Sequence, residues 1–228
     1  MTKTILALDV PTADQAWDLL ADFPEPIYVK VGMELYYALG ADFVSELKAK
    51  GFQVFLDLKL HDIPNTVAQG MTQLATLGAD MLNVHAGGGI AMMTAAVNAV
   101  KLVNPDSLCI AVTILTSLDD QQLQKELGLS QPALETTLAY ARNAKAAGMD
   151  GVVCSVHEVA AIHDACGADF ICVTPGISFG NSRAADQKRV ATPALAKTAG
   201  SDYIVVGRSI SQSAHPYQTY LAIEEELL

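Results

Sequence analysis

Positive charge is scarce in this chain. Its 228 residues carry 14 Lys plus Arg against 25 Asp plus Glu, a formal net charge of −11. Such a balance repels nucleic acid and anionic membrane surfaces, so neither is an expected partner, and any anionic ligand must be met by a local cluster of cations. Cysteine is sparse too, and Cys109, Cys154, Cys166 and Cys172 form no C-x-x-C unit. Three of them sit in apolar, strand-like runs, which predicts reduced core residues of a cytosolic protein rather than a disulfide framework. No apolar run is expected to reach membrane-spanning length, and the chain passes from Met1-Thr2-Lys3-Thr4 directly into a strand pattern, leaving no room for a signal peptide. A soluble, cytoplasmic protein is the expectation. Linkers, low-complexity tracts and charge blocks are also missing, so residues 1–228 are expected to form one domain. With 51% hydrophobic and 17% charged residues, the chain can bury a large core without disulfides or metals.

What the chain does have is a regular alternation. Strand patterns are read at Ile5–Val10, Tyr28–Val31, Gln53–Leu60, Met81–His85, Leu108–Leu115, Gly151–Cys154, Phe170–Thr174 and Tyr203–Val206. Helical patterns fall between them at Thr12–Asp22, Glu34–Lys50, Asn65–Leu77, Gly89–Val100, Pro132–Ala147, Val156–Cys166, Pro193–Ala199 and His215–Leu228. Thr12 with Gln15 and Ser155 with Glu158 fit capping boxes, and Thr192-Pro193 fits an N-cap followed by proline at the first helical position. Gly51, Gly78, Gly148, Gly167 and Gly200 are placed to close helices. Strands separated by helices pair in parallel through right-handed crossovers.

Eight such repeats predict an α/β fold, a closed (β/α)8 TIM barrel, in preference to an open doubly wound sheet. The positions of the polar residues favour closure. Nearly every strand pattern ends in one: Asp9, Lys30, Asp57 with Lys59, Asn83 with His85, Thr116, Ser155, Thr174-Pro175-Gly176 and Gly207-Arg208. A barrel gathers these ends on one face, the face that carries active sites in this fold, whereas an open sheet spreads them along a line.

The densest chemistry lies in Phe55–Thr66, where Asp57, Lys59 and Asp62 stand at D-x-K-x-x-D spacing inside an otherwise apolar run. Strand alternation puts Asp57 and Lys59 on one face and Leu56, Leu58 and Leu60 on the other. A buried ion pair rarely repays its own desolvation, so this placement points to function, with a structural salt bridge as the bland alternative. Asp9 and Lys30 extend the set to three carboxylates and two ammonium groups. At an effective dielectric near 20, unit charges about 4 Å apart interact by about 4 kcal/mol, enough to hold each lysine charged and in place. Preorganised charge of this kind stabilises a developing carbanion or oxyanion, and a lysine so held can deliver a proton. For Lys30 the alternative is a snorkelling surface lysine, disfavoured by its neighbours Val29, Val31 and Gly32.

A second constellation suits an anion. The loop Thr174–Arg183 follows the seventh strand pattern and Gly207-Arg208-Ser209 ends the eighth, the places where barrels commonly bind phosphate. Arg208 could clamp two phosphate oxygens, and the stretch Ile177–Arg189 could close as a lid. The triplet Gly87-Gly88-Gly89 matches no nucleotide-binding motif and is read as a flexible βα turn, with His85 a hydrogen-bonded residue near the mouth. Asp57, Asp62, His61 and His85 could ligate a metal, but two lysines already neutralise the carboxylates, so no metal is expected.

Together, Ala7-Leu8-Asp9, Val29-Lys30-Val31-Gly32, Asp57–Thr66, Val112–Ser117, Val173–Ile177 and Val206-Gly207-Arg208 resemble the orotidine 5′-phosphate decarboxylases of the bacterial type. The resemblance runs from the first strand to the eighth. It implies cofactor-free decarboxylation of orotidylate to uridylate, the last step of pyrimidine nucleotide synthesis, in a homodimer. It further implies that Asp9 holds the ribose, that Lys30 bridges ribose and charged array, and that Asp57 faces the substrate carboxylate. Lys59 would stabilise and protonate the C6 carbanion, Thr116 would contact the pyrimidine, and Asp62 with Thr66 would reach into the partner's site. Gln187, Gly207 and Arg208 would hold phosphate. One position departs: many bacterial members carry arginine after Thr-Pro-Gly-Ile, and here it is Ser178. Arg183 or Arg189 would substitute for it, or Arg208 and backbone groups would act alone. Two rivals share the barrel, a magnesium-dependent keto-sugar-phosphate lyase and a non-catalytic nucleotide-phosphate binder. The lyases carry an acidic metal ligand where Lys30 stands.

Overall fold

The structure is a computed structural model and describes residues 2–180 and 190–228. Its strands are β1 (Lys3–Ala7), β2 (Tyr28–Gly32), β3 (Gln53–Leu60), β4 (Met81–His85), β5 (Leu108–Val112), β6 (Gly151–Val153), β7 (Ile171–Thr174) and β8 (Tyr203–Val206). They pair in parallel in chain order and close, β8 onto β1, into a barrel. The helices are α1 (Ala13–Leu20), α2 (Met33–Ala49), α3 (Pro64–Ala75), α4 (Gly89–Val103), α5 (Asp120–Lys125), α6 (Ala133–Ala146), α7 (Val159–Cys166), α8 (Pro193–Ala199), α9 (Arg208–Ser211) and α10 (Pro216–Leu227). The expected (β/α)8 architecture is therefore present, with α5 and α9 as additions that the sequence reading did not include.

Two layers of apolar side chains hold it. Ile5, Tyr28, Phe55, Met81, Ile110, Val173 and Val205 fill the barrel interior. The opposite faces of the strands, such as Leu6, Val29, Leu56 and Leu82, pack against the helices. Each such side chain, fully buried, is worth roughly 1.5–3 kcal/mol of hydrophobic stabilisation. Gly151 leaves no room for a side chain beside β7, since a Cβ there would lie 2.2 Å from the carbonyl oxygen of Ile171.

Local signals act as expected at several ends. Thr192 Oγ1 accepts from Leu195 N–H at 3.2 Å, and Glu158 and Ser155 complete a capping box. At Thr12 only half a box forms, its hydroxyl accepting from Gln15 N–H at 3.3 Å. Gly51, Gly78, Gly148, Gly167 and Gly200 all take positive φ after their helices. The expected strands Ile5–Val10 and Leu108–Leu115 end early, because apolar residues such as Ile114 leave the ladder and line the mouth. The expected helix Val156–Cys166 opens with a 3-10 turn, Val156–Glu158. Contrary to expectation, Ala86–Val103 is apolar and long enough to span a membrane by composition, with mean hydropathy 1.4. In the fold it is the turn before α4 and α4 itself, whose Met92, Met93, Ala96, Val97 and Val100 are buried on the barrel.

At the end of the barrel where the strands begin, three acidic residues repeat one contact. Asp80, Asp150 and Asp202, just ahead of β4, β6 and β8, accept the backbone N–H of Val54, Cys109 and Cys172 on the preceding strand at 2.6, 2.7 and 2.8 Å. Lys48 of α2 and Lys101 of α4 pair with the first two at 2.5 and 3.0 Å. By register the fourth equivalent, ahead of β2, is Ile27 opposite Thr4.

Candidate active site

The opposite end gathers the polar residues. Asp9 follows β1, Lys30 lies in β2, Asp57 and Lys59 lie in β3, and their charges form an alternating chain. Lys30 Nζ is 2.8 Å from Asp9 Oδ1 and 3.6 Å from Asp57 Oδ2, while Lys59 Nζ is 2.6 Å from Asp57 Oδ1. The chain runs from solvent inward, with side-chain exposure of 60% at Asp9, 10% at Lys30 and 12% at Asp57. Burial pushes the Asp57 carboxyl up, but the Lys30 and Lys59 ammoniums and the hydrogen bonds from Lys59 and Asn83 outweigh it, and the group ends below the ordinary carboxylate range. It is a fixed buried anion between two cations.

Two backbone features make this possible. Gly32 ends β2 with extended backbone, and a Cβ there would lie 2.9 Å from Lys30 Nζ and 3.5 Å from Asp9 Oδ1, so the absent side chain leaves room for the ion pair. In β3 the pairing with β4 slips: Leu56 faces Leu82, yet Leu60 faces Val84. Four steps along β3 match two along β4, so Asp57 and Lys59 confront the single residue Asn83. Lys59 absorbs the slip with φ of +53°, the only non-glycine positive φ among the described residues. The expected sharing of a face by Asp57 and Lys59 holds, but through an irregular strand rather than simple alternation.

Beside this charged wall lies a cavity of about 190 Å³ lined by Lys30, Phe55, Asp57 and Lys59 on one side and by Val112, Ile114, Thr116, Val153, Pro175 and Val205 on the others. An anion and two ammonium groups thus face an otherwise largely apolar pocket, where electrostatic terms count for more than in water. Thr116 lies at the rim.

A family model described as orotidine 5′-phosphate decarboxylase / HUMPS family matches residues 2–223. The chain belongs to this family. Orotidine 5′-phosphate decarboxylases from Streptococcus suis and Geobacillus kaustophilus are 52% and 51% identical to it, each alignment covering 99% of the chain and 97% and 94% of the relative. A crystal structure of orotidine 5′-phosphate decarboxylase from Lactobacillus acidophilus superposes with a TM-score of 0.91 at 40% identity, covering 100% of this chain and 99% of that one.

Of the residues that the decarboxylase resemblance singled out, Asp9, Lys30, Asp57, Lys59 and Thr116 are brought together. Asp62 is not. It is exposed beyond β3, where Oδ1 accepts the Ile63 N–H at 2.6 Å, and it forms no ion pair among the described residues of its own chain. Thr66 lies nearby on the first turn of α3, exposed like the rest of 61–66, with Ile63 at 66% exposure. Gly207 caps α9 and Arg208 begins it. The β7 and β8 loops are joined there, Phe179 N–H donating to Ser209 Oγ at 3.1 Å. The β7 loop is closed at its base by an Ile177–Ala191 bridge and by Ser178 N–H donating to the Ala191 carbonyl at 2.9 Å. Gln187, Arg183 and Arg189 lie outside the described residues, as does most of the expected lid.

Asn83 is the residue whose part at the site the sequence reading missed, though it was noted as a polar strand end. Its Nδ2 donates to Asp57 Oδ1 at 2.6 Å and its Oδ1 accepts the Lys59 N–H at 2.8 Å. The signal was a polar residue inside Met81–His85 on an inward position. Among the described residues, neighbouring His85 is met by a ring rather than the expected hydrogen bond, its centroid 5.7 Å from that of His61. Burial, then His61 and Lys59, hold its imidazole below the usual range despite Asp57. The glycine triplet forms a 3-10 turn and the start of α4, with Gly88 pressed against Met92.

Proposed function

We propose that the protein decarboxylates orotidine 5′-phosphate to uridine 5′-phosphate, and that it does so without metal or organic cofactor. The observation that carries this reading is the chain Asp9–Lys30–Asp57–Lys59 along one wall of the cavity. With the pyrimidine in the cavity against Thr116 and the substrate carboxylate toward Asp57, two like charges would be held close, a repulsion that departure of CO2 relieves. The bond between C6 and the carboxyl carbon breaks, its electron pair stays on C6, and the Lys59 ammonium stabilises that charge and then donates the proton. Lys30 and Asp9 would orient the ribose, and Arg208, Gly207 and Gln187 would hold the phosphate.

The keto-sugar-phosphate lyase reading is not favoured, because the family relatives at about 50% identity are named decarboxylases and the Lys30 ammonium stands 3.6 Å from Asp57, where a magnesium ion would be repelled. The working form is a cytoplasmic homodimer in which Asp62 and Thr66 complete the partner's site. The exposure of the whole run 61–66, with Ile63 at 66% exposure, supports this, since it leaves Asp62 and Thr66 open to a second subunit. The deciding experiment is release of CO2 from orotidylate with excess chelator. Undiminished turnover is expected, and activity abolished by chelator and restored by magnesium would overturn the reading.

A further inference from the structure

We propose that Asn83 is a positioning residue that sets the catalytic geometry of Lys59 and Asp57 together. The inference rests on the decarboxylase reading and deepens it. Where β3 slips against β4, two inward residues face one, and the Lys59 N–H loses a regular ladder partner. The Asn83 carbonyl oxygen replaces it at 2.8 Å, while the amide nitrogen of the same side chain grips Asp57 Oδ1 at 2.6 Å. That oxygen is also the one held by Lys59 Nζ at 2.6 Å. Lys59 is thereby tied at both ends, by its backbone to Asn83 and by its ammonium to a carboxylate that Asn83 itself orients. The ring of contacts fixes the amide's orientation: flipped, its carbonyl would oppose a carboxylate and its NH2 would oppose an N–H.

The tie matters because Lys59 carries a β-carbon and an unfavourable φ of +53°. A residue held in this region persists only where its surroundings over-determine it. Asn83 is 1% exposed, so water cannot substitute for either of its contacts. Among residue types of its size only asparagine offers one donor and one acceptor on a planar fork. Aspartate keeps the acceptor for Lys59 N–H but turns a second negative oxygen toward Asp57, and leucine offers neither.

The test uses Asn83→Ala and Asn83→Asp in the full-length protein. For Asn83→Ala we expect kcat for orotidylate to fall on the order of 100-fold, with KM changed little, because a misplaced lysine fails in the transition state and not in substrate binding. A second readout isolates Lys59. In D2O the wild type should exchange the C6 hydrogen of uridylate: the proton passes to a neutral Lys59 amine, the electron pair stays on C6, and a deuteron returns from the same nitrogen. Asn83→Ala should slow this exchange in step with kcat. For Asn83→Asp, activity should rise as pH falls and the new carboxyl gains the proton that lets it donate to Asp57, a dependence that the wild type lacks. Asn83→Ala with wild-type kcat and exchange, or Asn83→Asp with a wild-type pH profile, would overturn the proposal. If alanine prevents folding, the isosteric aspartate variant decides alone. A wild type inert toward orotidylate would sink the underlying decarboxylase reading instead.

Discussion

Replacing Gly32 by alanine should damage catalysis while leaving the fold as stable or more so. The backbone there is extended, at φ −90° and ψ −177°, so an L-residue fits without strain. Loss of glycine's freedom in the unfolded chain then favours the folded state by about 0.4–1 kcal/mol. The new methyl, however, arrives 2.9 Å from Lys30 Nζ, well inside the 3.5–4.0 Å at which such atoms rest. The ammonium is the far end of a flexible side chain, so it yields rather than the backbone. To reach an ordinary contact it moves by at least about half an ångström, enough to stretch its 2.8 Å pairing with Asp9 or its 3.6 Å approach to Asp57. Misplacement on this scale lowers rates by about 10- to 100-fold, or about 1.4–2.7 kcal/mol in kcat/KM. Steady-state decarboxylation of orotidylate and thermal unfolding of the same preparation give both numbers. Wild-type kinetics would refute the reasoning, and a Tm several degrees lower would show that the methyl disturbs the barrel instead of the ion pair.

Mixing inactive Asp62→Ala with inactive Lys59→Ala should restore about a quarter of wild-type activity after free subunit exchange, since about half the dimers are hybrids with one working site in two. No recovery despite exchange would mean that each barrel is completed without its neighbour's Asp62. Ser178→Arg should lower KM for orotidylate more than it raises kcat, because a distal phosphate contact binds ground and transition states alike; a rise in kcat at constant KM would contradict this. Asp57→Asn should be less stable than wild type at pH 7, with the gap shrinking at acid pH. The Asp57 carboxyl is held below its ordinary value in the folded state, so its stabilisation is complete above the unfolded pKa of about 3.9 and is lost as pH falls through the folded one. Thermal melts at pH 7 and below about pH 4 test this, and a constant gap would show that Asp57 is not the group responsible.

The barrel was legible because its signals are repeated and local. β3, β4, β8 and α8 occupy the stretches expected of them, each bounded by a turn residue or a cap. Errors cluster where apolar residues do something other than pack a ladder. Ile114 and Leu115 read as strand and instead line the mouth. The short α5 shows no helical pattern because only Leu123 of it is buried and no apolar period forms; its one signal is the Asp-x-x-Gln spacing of Asp119 and Gln122, which make a full capping box. The charged chain was visible in the spacing of Asp57 and Lys59. The positive φ of Lys59 was not, because it arises from the register between two strands and from one amide on the second, neither of which is written in the stretch that carries the lysine.

The three aspartate contacts at the strand-starting end divide the barrel's odd-to-even strand pairs into three that are clasped and one that is not. β3, β5 and β7 are each clasped to the next strand by a side chain as well as by the ladder, and β1 is joined to β2 with Ile27 where the clasp would be. Among these four strand pairs, opening should therefore be easiest along the seam between β1 and β2, whose amide hydrogens should exchange with solvent ahead of those of the clasped pairs. The seam ends upward at Asp9 and Lys30, so the partners that breathe there are also the ones the proposed reaction asks to orient the ribose.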